Sequence, residues 1–210
     1  MSGEAPKIRI LTVDDHPALR DGIAAIVELQ PDMIVGGEAP SGEEAVAAFA
    51  NLRPDATIMD LQMPGMGGIE AIAAIRREWR NARVIVLTTY DGDVQAAQAL
   101  KAGASAYLLK TAVRKELLDT IRAVHAGRRH IPPEIAQEIA FHAADDPLSD
   151  REIDILALVA AGAANKDVAW KLSISEETVK AHMKSIFAKL DVGDRTHAVT
   201  AALKRGIMTL

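Results

Sequence analysis

ATIMDLQMPGMGG (residues 56–68) joins a short apolar run to a tight turn, and one acidic side chain stands between them. The run ATIM, residues 56–59, has the length and composition of a strand buried in a sheet. Pro64 and the glycines that follow it prevent the strand from continuing. Asp60 therefore lies at the end of a buried strand, where a carboxylate needs a partner.

Four other stretches have the same strand-like composition: residues 7–13, 32–39, 83–88 and 105–109. Segments of helix length, rich in Ala, Leu and Glu, separate them, and Gly103 marks the end of one helix. The last of these helices is expected near residues 113–126. Strict alternation of strand and helix is typical of a parallel sheet with helices on both faces. Residues 7–126 therefore predict a doubly wound α/β domain with five parallel strands.

The character of the chain changes after residue 126. Residues 127–147 contain three prolines, two charge clusters and one helix-like piece at 134–141. This composition favours a linker with a short helix over the alternative, a sixth unit of the first domain. Residues 148–210 show no strand pattern and predict a small all-α domain.

The all-α segment has the proportions of a helix-turn-helix. The sequence SDRE, residues 149–152, fits a capping box at the start of its first helix, which Gly162 ends. Asn165 and Ser175 are the predicted N-caps of a short helix and a longer one, and a last helix is expected from about 194 to 205. The predicted buried positions are Ile153, Leu156, Ala157 and Ala160 in the first helix and Val179, Met183, Ile186 and Leu190 in the longer one.

Composition excludes several classes of protein. The 210 residues carry a net charge of −5 and include no cysteine. Disulfides, zinc–thiolate sites and thiol catalysis are therefore excluded, and a cytoplasmic location is expected. No apolar run approaches the roughly 18 residues of a membrane span. Residues 1–6 lack the basic and apolar regions of a signal peptide.

Five polar side chains are expected to meet at one edge of the predicted sheet: Asp14, Asp15, Asp60, Thr88 and Lys110. Each ends or follows a strand, and ligands bind beyond the carboxyl ends of the strands in such sheets. Three clustered carboxylates repel one another without a cation, and an all-oxygen ligand set suits Mg²⁺. A cation, an ammonium and a hydroxyl around one carboxylate are typical of a phosphoryl-transfer site, with Asp60 as the nucleophile.

Two sets of motifs resemble a known family. LTVDDHPALRDGI, IMDLQMPGMGGIEA, VIVLTTYD and GASAYLLK resemble the receiver domain of bacterial response regulators. LSDREIDILALVAAGAANKDVAWKLSISEETVKAHMKSIFAKLDVGDRT resembles the LuxR-like helix-turn-helix of the NarL/FixJ subfamily. Together they cover almost the whole chain in the order found in the family. The resemblance implies a flavodoxin-like receiver followed by a DNA-binding domain.

The resemblance also implies a role for each residue of the predicted pocket. Asp60 would accept phosphate from a sensor histidine kinase, and Mg²⁺ would be held by Asp14, Asp15, Asp60 and the backbone carbonyl of Gln62. Thr88 and Lys110 would contact the phosphoryl group, and Tyr107 would be the switch aromatic. The alternative for Tyr107 is a half-buried edge tyrosine with its hydroxyl in water. Gln62 and Tyr90 stand where the family varies its dephosphorylation rate, and Thr111 replaces the proline of many receivers.

The longer helix of the second domain is the predicted DNA-binding element. Lys180, Ala181 and Lys184 lie opposite its apolar stripe and are the candidates for base contacts. The candidates for phosphate contacts are Lys166, Ser175, Thr178 and Arg195. Residues 148–210 hold 9 basic and 8 acidic side chains, whereas residues 1–125 hold 13 and 17, so one copy should bind DNA weakly. A homodimer on two half-sites would bind more tightly, and Val199, Ala202 and Leu203 are either its contact or part of the core.

The predicted function is a cytoplasmic transcription regulator, without a membrane segment, that binds double-stranded promoter DNA. Phosphorylation would shift the receiver between two states and control dimerisation and promoter binding. The predicted protein is not an enzyme beyond its own phosphorylation and dephosphorylation. One rival is a phosphohydrolase, although the first strand lacks its D-x-D motif. The other rival is a regulator that binds DNA independently of phosphorylation and uses the receiver for protein contacts.

Overall fold

The computed structural model describes residues 6–89, 92–143 and 145–208, so Tyr90 lies outside the described residues. The described chain divides into two compact units, residues 6–89 with 96–133 and residues 92–95 with 134–208. No helix in these residues is long and apolar enough to cross a bilayer.

The first unit contains a five-stranded parallel sheet with the order β2-β1-β3-β4-β5. The strands are β1 (Ile8–Val13), β2 (Met33–Ala39), β3 (Ala56–Met59), β4 (Val84–Thr88) and β5 (Ala106–Leu109). This is the doubly wound order of flavodoxin-like folds, and the predicted fold class is confirmed. Each of the five predicted strands is present, within one residue at either end.

Five helices connect and follow these strands. They are α1 (Pro17–Glu28), α2 (Gly42–Leu52), α3 (Gly68–Glu78), α4 (Asp93–Ala102) and α5 (Val113–His125), with one 3-10 turn, Lys110–Ala112, before α5. Isoleucines and leucines of the sheet pack against Ile23 and Val27 of α1 and Leu117 and Ile121 of α5 in one apolar cluster. Leu11, Met59 and Val86 occupy the alternate strand positions and are also buried, so both faces of the sheet are covered.

The second unit contains α7 (Asp150–Ala160), α8 (Asn165–Leu172), α9 (Glu176–Leu190), α10 (Arg195–Lys204) and, apart from its first residue, α6 (Pro133–Phe141). The predicted capping box is present, since the Ser149 hydroxyl accepts the Glu152 amide and the Glu152 carboxylate accepts the Ser149 amide. Ser175 caps α9 as predicted, by accepting the Thr178 amide at 3.0 Å. The predicted cap of α8 is wrong, because Ala164 is the N-cap and Asn165 is already helical.

The buried face of α7 also differs from the prediction. Glu152, Ile155, Leu156 and Val159 are buried, whereas Ala157 is exposed. The predicted face of α9 is correct at Val179, Met183 and Ile186, which are all buried. The buried face of α7 is therefore shifted by one residue towards the N-terminus of the helix. As a result the capping carboxylate of Glu152 faces the core and Ala157 does not.

Candidate functional site

The pocket begins where β1 and β3 end side by side. Val13 pairs with Met59 in the parallel register, so the next residues, Asp14 and Asp60, come level at the carboxyl edge of the sheet. Strand order reverses on either side of β1, which is the point where this fold opens a ligand crevice. Both carboxylates are only 2% exposed. Sequence order and sheet register together bring the two acids into one buried site.

The loop after β3 fixes the position of Asp60. The Asp60 amide donates to the carbonyl of Val13 at 2.9 Å, which extends the β1–β3 pairing by one residue. Gly68, the first residue of α3, passes so close beneath the loop that a Cβ there would lie 2.8 Å from the Cα of Leu61. The start of α3 therefore packs directly against the backbone of the acid, and only glycine fits at that contact.

Lys110 joins the two acids. Its Nζ lies 2.7 Å from Oδ2 of Asp60 and 2.8 Å from Oδ2 of Asp14, and its side chain is 16% exposed. Lys110 immediately follows β5, whose Leu109 pairs with Thr88 of β4. Asp14, Asp60 and Lys110 therefore meet at one edge of the sheet, as the sequence predicted.

Burial and ion pairing oppose each other in this pocket. Burial raises the pKa of Asp60 above its usual range, and the hydrogen bond from Lys110 only partly reverses that effect. Burial lowers the pKa of Lys110, but its hydrogen bonds to Asp14 and Asp60 outweigh burial, and the net shift is upward. Lys110 is therefore held as a cation, while the charge on Asp60 is destabilised. A second cation beside Asp60 would relieve that cost.

Asp15 and His16 lie in the same cluster as Asp14 and Asp60. The sequence prediction did not include His16. The His16 ring Nδ1 lies 2.7 Å from Asp15 and 3.2 Å from Asp14, and the His16 amide donates to Asp14 at 2.8 Å. Ligand atoms of Asp14, Asp15, His16 and Asp60 all lie within 4.8 Å of one another. Three carboxylates at this spacing fit a hard divalent cation.

Gln62 has a described contact in the same loop, but through a different atom from the predicted one. Its backbone amide donates to Oδ1 of Asp60 at 3.4 Å, which is a long hydrogen bond. The amide side chain of Gln62 also contributes a buried nitrogen without a hydrogen-bond partner among the described residues. Coordination of a metal by the Gln62 carbonyl stays a prediction.

Thr88 and Tyr107 lie on the same face of the sheet. Val86 pairs with Tyr107 and Thr88 pairs with Leu109, so the two polar residues are diagonal neighbours on adjacent strands. Both are fully buried. The alternative for Tyr107, an edge tyrosine with its hydroxyl in water, is therefore wrong. Lys110 and Thr111 begin the 3-10 turn, and no peptide bond among the described residues is cis.

The second unit presents a polar face on α9. Lys180, Ala181 and Lys184 are exposed, while Val179 and Met183 on the opposite face of the helix are buried. Lys180 also lies 3.2 Å from Glu177, and both side chains are more than half exposed, so this ion pair is weak. The predicted base-contacting residues thus share the solvent face of a helix whose other face is anchored in the core.

The residues predicted to contact phosphates are differently placed. Lys166, Ser175 and Thr178 are exposed, but Ser175 is also the N-cap of α9, since its hydroxyl accepts the Thr178 amide and lies 2.8 Å from the Thr178 hydroxyl. Arg195 is partly buried, and its guanidinium donates to the carbonyl of Ala163 and to Oδ1 of Asn165. Part of the hydrogen-bonding capacity of Arg195 is therefore used to join α10 to the start of α8.

A pocket of about 380 Å³ lies beside these cationic side chains. Met183 and Phe187 contribute apolar surface, and its polar lining residues are Asn165, Lys180, Lys184 and Arg195. The sequence prediction did not include Asn165, because it was assigned to a helix cap. Its contact with Arg195 depends on how α8 and α10 pack, and no local pattern encodes that packing.

The candidate dimer residues are mainly core. Ala202 is fully buried in the apolar cluster of the second unit, and Val199 and Leu203 are partly buried against the same cluster. A dimer contact through Ala202 is therefore wrong, because no area of that side chain is left to bury. Val199 and Leu203 retain partial exposure and stay candidates.

Comparison with known proteins assigns both halves of the chain. Residues 10–122 match the response regulator receiver domain, and residues 146–202 match the bacterial regulatory proteins of the luxR family. The chain belongs to the bacterial response regulators. This response regulator is a DNA-binding transcription regulator rather than an enzyme, which decides against the phosphohydrolase.

Relatives of known type match nearly the full length of the response regulator. The transcriptional regulatory protein LiaR of Bacillus subtilis (strain 168) is 41% identical over 203 residues, which are 93% of this chain and 96% of LiaR. The response regulator protein VraR of Staphylococcus aureus (strain Mu3) is 36% identical over 206 residues, covering 96% of this chain and 99% of VraR.

Solved structures give the same result. The crystal structure of the response regulator ChrA of a heme-sensing two-component system is 37% identical, covers 96% of this chain and 99% of ChrA, and has a TM-score of 0.57. A structure of two RcsB dimers bound to two parallel DNAs is 25% identical, covers 94% of this chain and 98% of that chain, and has a TM-score of 0.68.

Proposed function

We propose that a sensor histidine kinase transfers a phosphoryl group to Asp60 of this response regulator and thereby controls its binding to promoter DNA. The observation that carries the proposal is the bridge from Lys110 to Asp60 and Asp14 at 2.7 and 2.8 Å, at the switch point of the sheet. The proposed receiver spans residues 7–126, the linker 127–147 and the DNA-binding domain 148–210. The cytoplasmic location stays a prediction.

The pocket supports a nucleophilic role for Asp60. Its carboxylate is buried beside Lys110, which can move from the carboxylate to a phosphoryl oxygen and remain charged. We propose that Asp14, Asp15, Asp60 and the Gln62 carbonyl hold Mg²⁺, which supplies neutralisation of charge on the transferred group. The Thr88 hydroxyl would donate a hydrogen bond to the phosphoryl group. Tyr107 would change position with Thr88, because the two residues are neighbours on the same face of the sheet.

Residues 148–210, which we call the output half, support binding to double-stranded DNA as a homodimer. Lys180, Ala181 and Lys184 form the exposed face that we propose for base contacts. Lys166, Ser175, Thr178 and Arg195 are the proposed phosphate contacts. Because the net charge of the output half is small, two copies on adjacent half-sites are needed for tight binding. Val199 and Leu203 are the remaining candidates for the dimer contact.

The test is phosphorylation of the full chain by a radiolabelled small-molecule phosphoryl donor with Mg²⁺, followed by DNA capture. Wild-type protein and an Asp21→Asn control, whose exposed carboxylate lies on α1, are expected to be labelled equally. Asp60→Asn is expected to remain unlabelled and to show no gain in DNA affinity. Equal labelling of the Asp60→Asn variant would remove the assignment of Asp60 as phosphoacceptor.

One observation favours a second candidate, regulation of DNA without phosphorylation. Tyr107 is fully buried, and Lys110 is held by Asp60 and Asp14 at 2.7 and 2.8 Å. A receiver fixed in this state would serve only for protein contacts. DNA affinity that is high and identical before and after phosphorylation would favour this candidate.

A further inference from the structure

The chain returns to the edge of the sheet after α5. His130 forms an isolated parallel bridge with Ala106 of β5. The His130 amide donates to the carbonyl of Ser105 at 3.3 Å, and the Tyr107 amide donates to the carbonyl of His130 at 2.9 Å. These two hydrogen bonds, which we call the His130 bridge, cover part of the outer side of β5, the edge strand in the sheet order.

The His130 bridge joins the backbone of Tyr107 itself. On its other side Tyr107 is in register with Val86 of β4, and Thr88 lies two residues further along that strand. A displacement of β5 that accompanies a change at Tyr107 therefore alters the hydrogen bond to His130 directly. Tyr107 is fully buried in the state in which the bridge is formed.

The side chain of His130 contributes less than its backbone. Its ring Nε2 lies 3.5 Å from a Glu116 carboxylate oxygen on α5. Both side chains are more than one third exposed, so this contact is weak. The backbone hydrogen bonds are therefore the main described link between β5 and the residues that follow α5.

We propose that the His130 bridge couples the change at Thr88 and Tyr107 to the linker, residues 127–147. The bridge belongs to the state with Tyr107 inside, and phosphorylation of Asp60 increases the population of that state. The linker is then held against β5, four residues before the second compact unit begins at residue 134. The proposal rests on the phosphorylation of Asp60 proposed above, and it adds the route by which that event reaches the output half.

The first test is amide hydrogen exchange of the full chain with and without beryllium fluoride and Mg²⁺, a non-covalent mimic of the phosphoryl group. Exchange at the Tyr107 and His130 amides is expected to slow by about tenfold with the mimic. Radiolabelling shows separately whether the protein is phosphorylated at Asp60. If it is, an unchanged or faster exchange rate at both amides would contradict the proposed coupling through the His130 bridge. Protein without label at Asp60 would instead refute the proposed function on which the bridge depends.

The second test compares His130→Pro, which removes the donor to Ser105, with His130→Ala, which keeps both backbone hydrogen bonds. Both variants are expected to accept phosphate as wild type does. His130→Ala should retain the phosphorylation-dependent gain in DNA affinity, about tenfold, whereas His130→Pro should lose most of it. A full gain in His130→Pro, or an equal loss in His130→Ala, would contradict the proposal. If His130→Pro does not fold, the exchange test decides alone.

Discussion

At the scale of single residues, the pocket combines strong local costs with specific compensation. Asp60 is buried beside Asp14, and Lys110 supplies one positive charge for two carboxylates. The raised pKa of Asp60 indicates that this compensation is incomplete. A divalent cation bound among Asp14, Asp15 and Asp60 would relieve the repulsion between these carboxylates, so binding of a cation is expected to stabilise the site.

Asp60→Asn is expected to stabilise the metal-free protein at neutral pH by about 1 kcal/mol. Because the folded-state pKa of Asp60 is raised, its protonated form favours the fold, and that contribution is lost as the pH rises through the raised pKa. The Asn variant should therefore exceed wild type in Tm at pH 7 without Mg²⁺, and the gap should shrink towards acid pH. Thermal melts against Asp21→Asn measure this, and a lower Tm for Asp60→Asn would contradict it.

Ser173→Gly is expected to raise stability by about 0.5–1 kcal/mol. Ser173 has a φ of 55° and is left-handed at the end of α8, where a side chain costs more than a hydrogen. Glycine removes that cost, although it also increases the entropy of the unfolded chain. Urea unfolding of both proteins measures the difference. An unchanged or lower midpoint at the same slope would show that the turn is not strained.

At the scale of elements, a buried ion pair joins α7 to α9. Lys189 lies 3.0 Å from Glu152, whose side chain is 5% exposed, and also 3.0 Å from the carbonyl of Pro147. Burial raises the pKa of Glu152, but hydrogen bonds from Ser185, the Ser149 backbone and Lys189 outweigh burial and lower it to about 2. The helix that carries the proposed DNA-binding face is thus fixed to α7.

Glu152→Gln is expected to destabilise the second unit by about 2 to 3 kcal/mol at pH 7, since Lys189 and the α7 cap lose a charged acceptor. The lowered pKa means that the contribution of Glu152 is fully present above its usual value of 4.5 and is lost as the pH falls towards about 2. The difference from wild type should shrink over that range. Urea melts at pH 7 and at pH 3 check the expectation.

Glu177→Gln is the matched control for that experiment. Glu177 also pairs with a lysine on α9, at 3.2 Å, but its side chain is 84% exposed. The expected change is under about 0.5 kcal/mol at either pH. Equal effects of the two substitutions would show that the buried pair has no special part in joining the helices.

At the scale of the whole molecule, the two halves divide charge and function. The receiver half carries the acidic excess, and the output half is almost neutral, so the overall charge of the chain gives little long-range attraction to DNA. Under the proposed function, two output domains must act together to reach a useful affinity. Phosphorylation would then act on affinity through the number of copies bound, and the chemistry of the contacts would stay the same.

The salt dependence of DNA binding is expected to be about twice as steep for the phosphorylated protein as for the unphosphorylated protein. A dimer displaces counterions from twice as many phosphates as a monomer, so the slope of log Kd against log salt should double. Fluorescence anisotropy over a salt series, with sedimentation to count copies, measures both quantities. Asp60→Asn should keep the shallow slope, and equal slopes for both forms of wild type would contradict dimer formation on DNA.

The candidate site was predictable from the sequence where its geometry follows from strand order. Asp14, Asp60 and Lys110 each follow a strand directly, and parallel strands bring their carboxyl ends to one edge whatever the details of packing. Tyr107 could be placed on β5, but its full burial could not be predicted, because that depends on what covers the strand. The His16 contacts and the His130 bridge were missed because both are made by residues outside regular elements.

The sequence alone determined the alternation of strands and helices, the position of Asp14 and Asp60 side by side at one edge of the sheet, and the exposed lysine face of α9. These features depend on local periodicity and on chain order, which neighbouring elements do not change. Tertiary structure decided which face of α7 is buried, that Ala202 belongs to the core, that Arg195 is partly engaged and that the chain returns to β5 at His130. Each of these depends on contacts between segments far apart in the chain, where packing competes with several local patterns of similar strength.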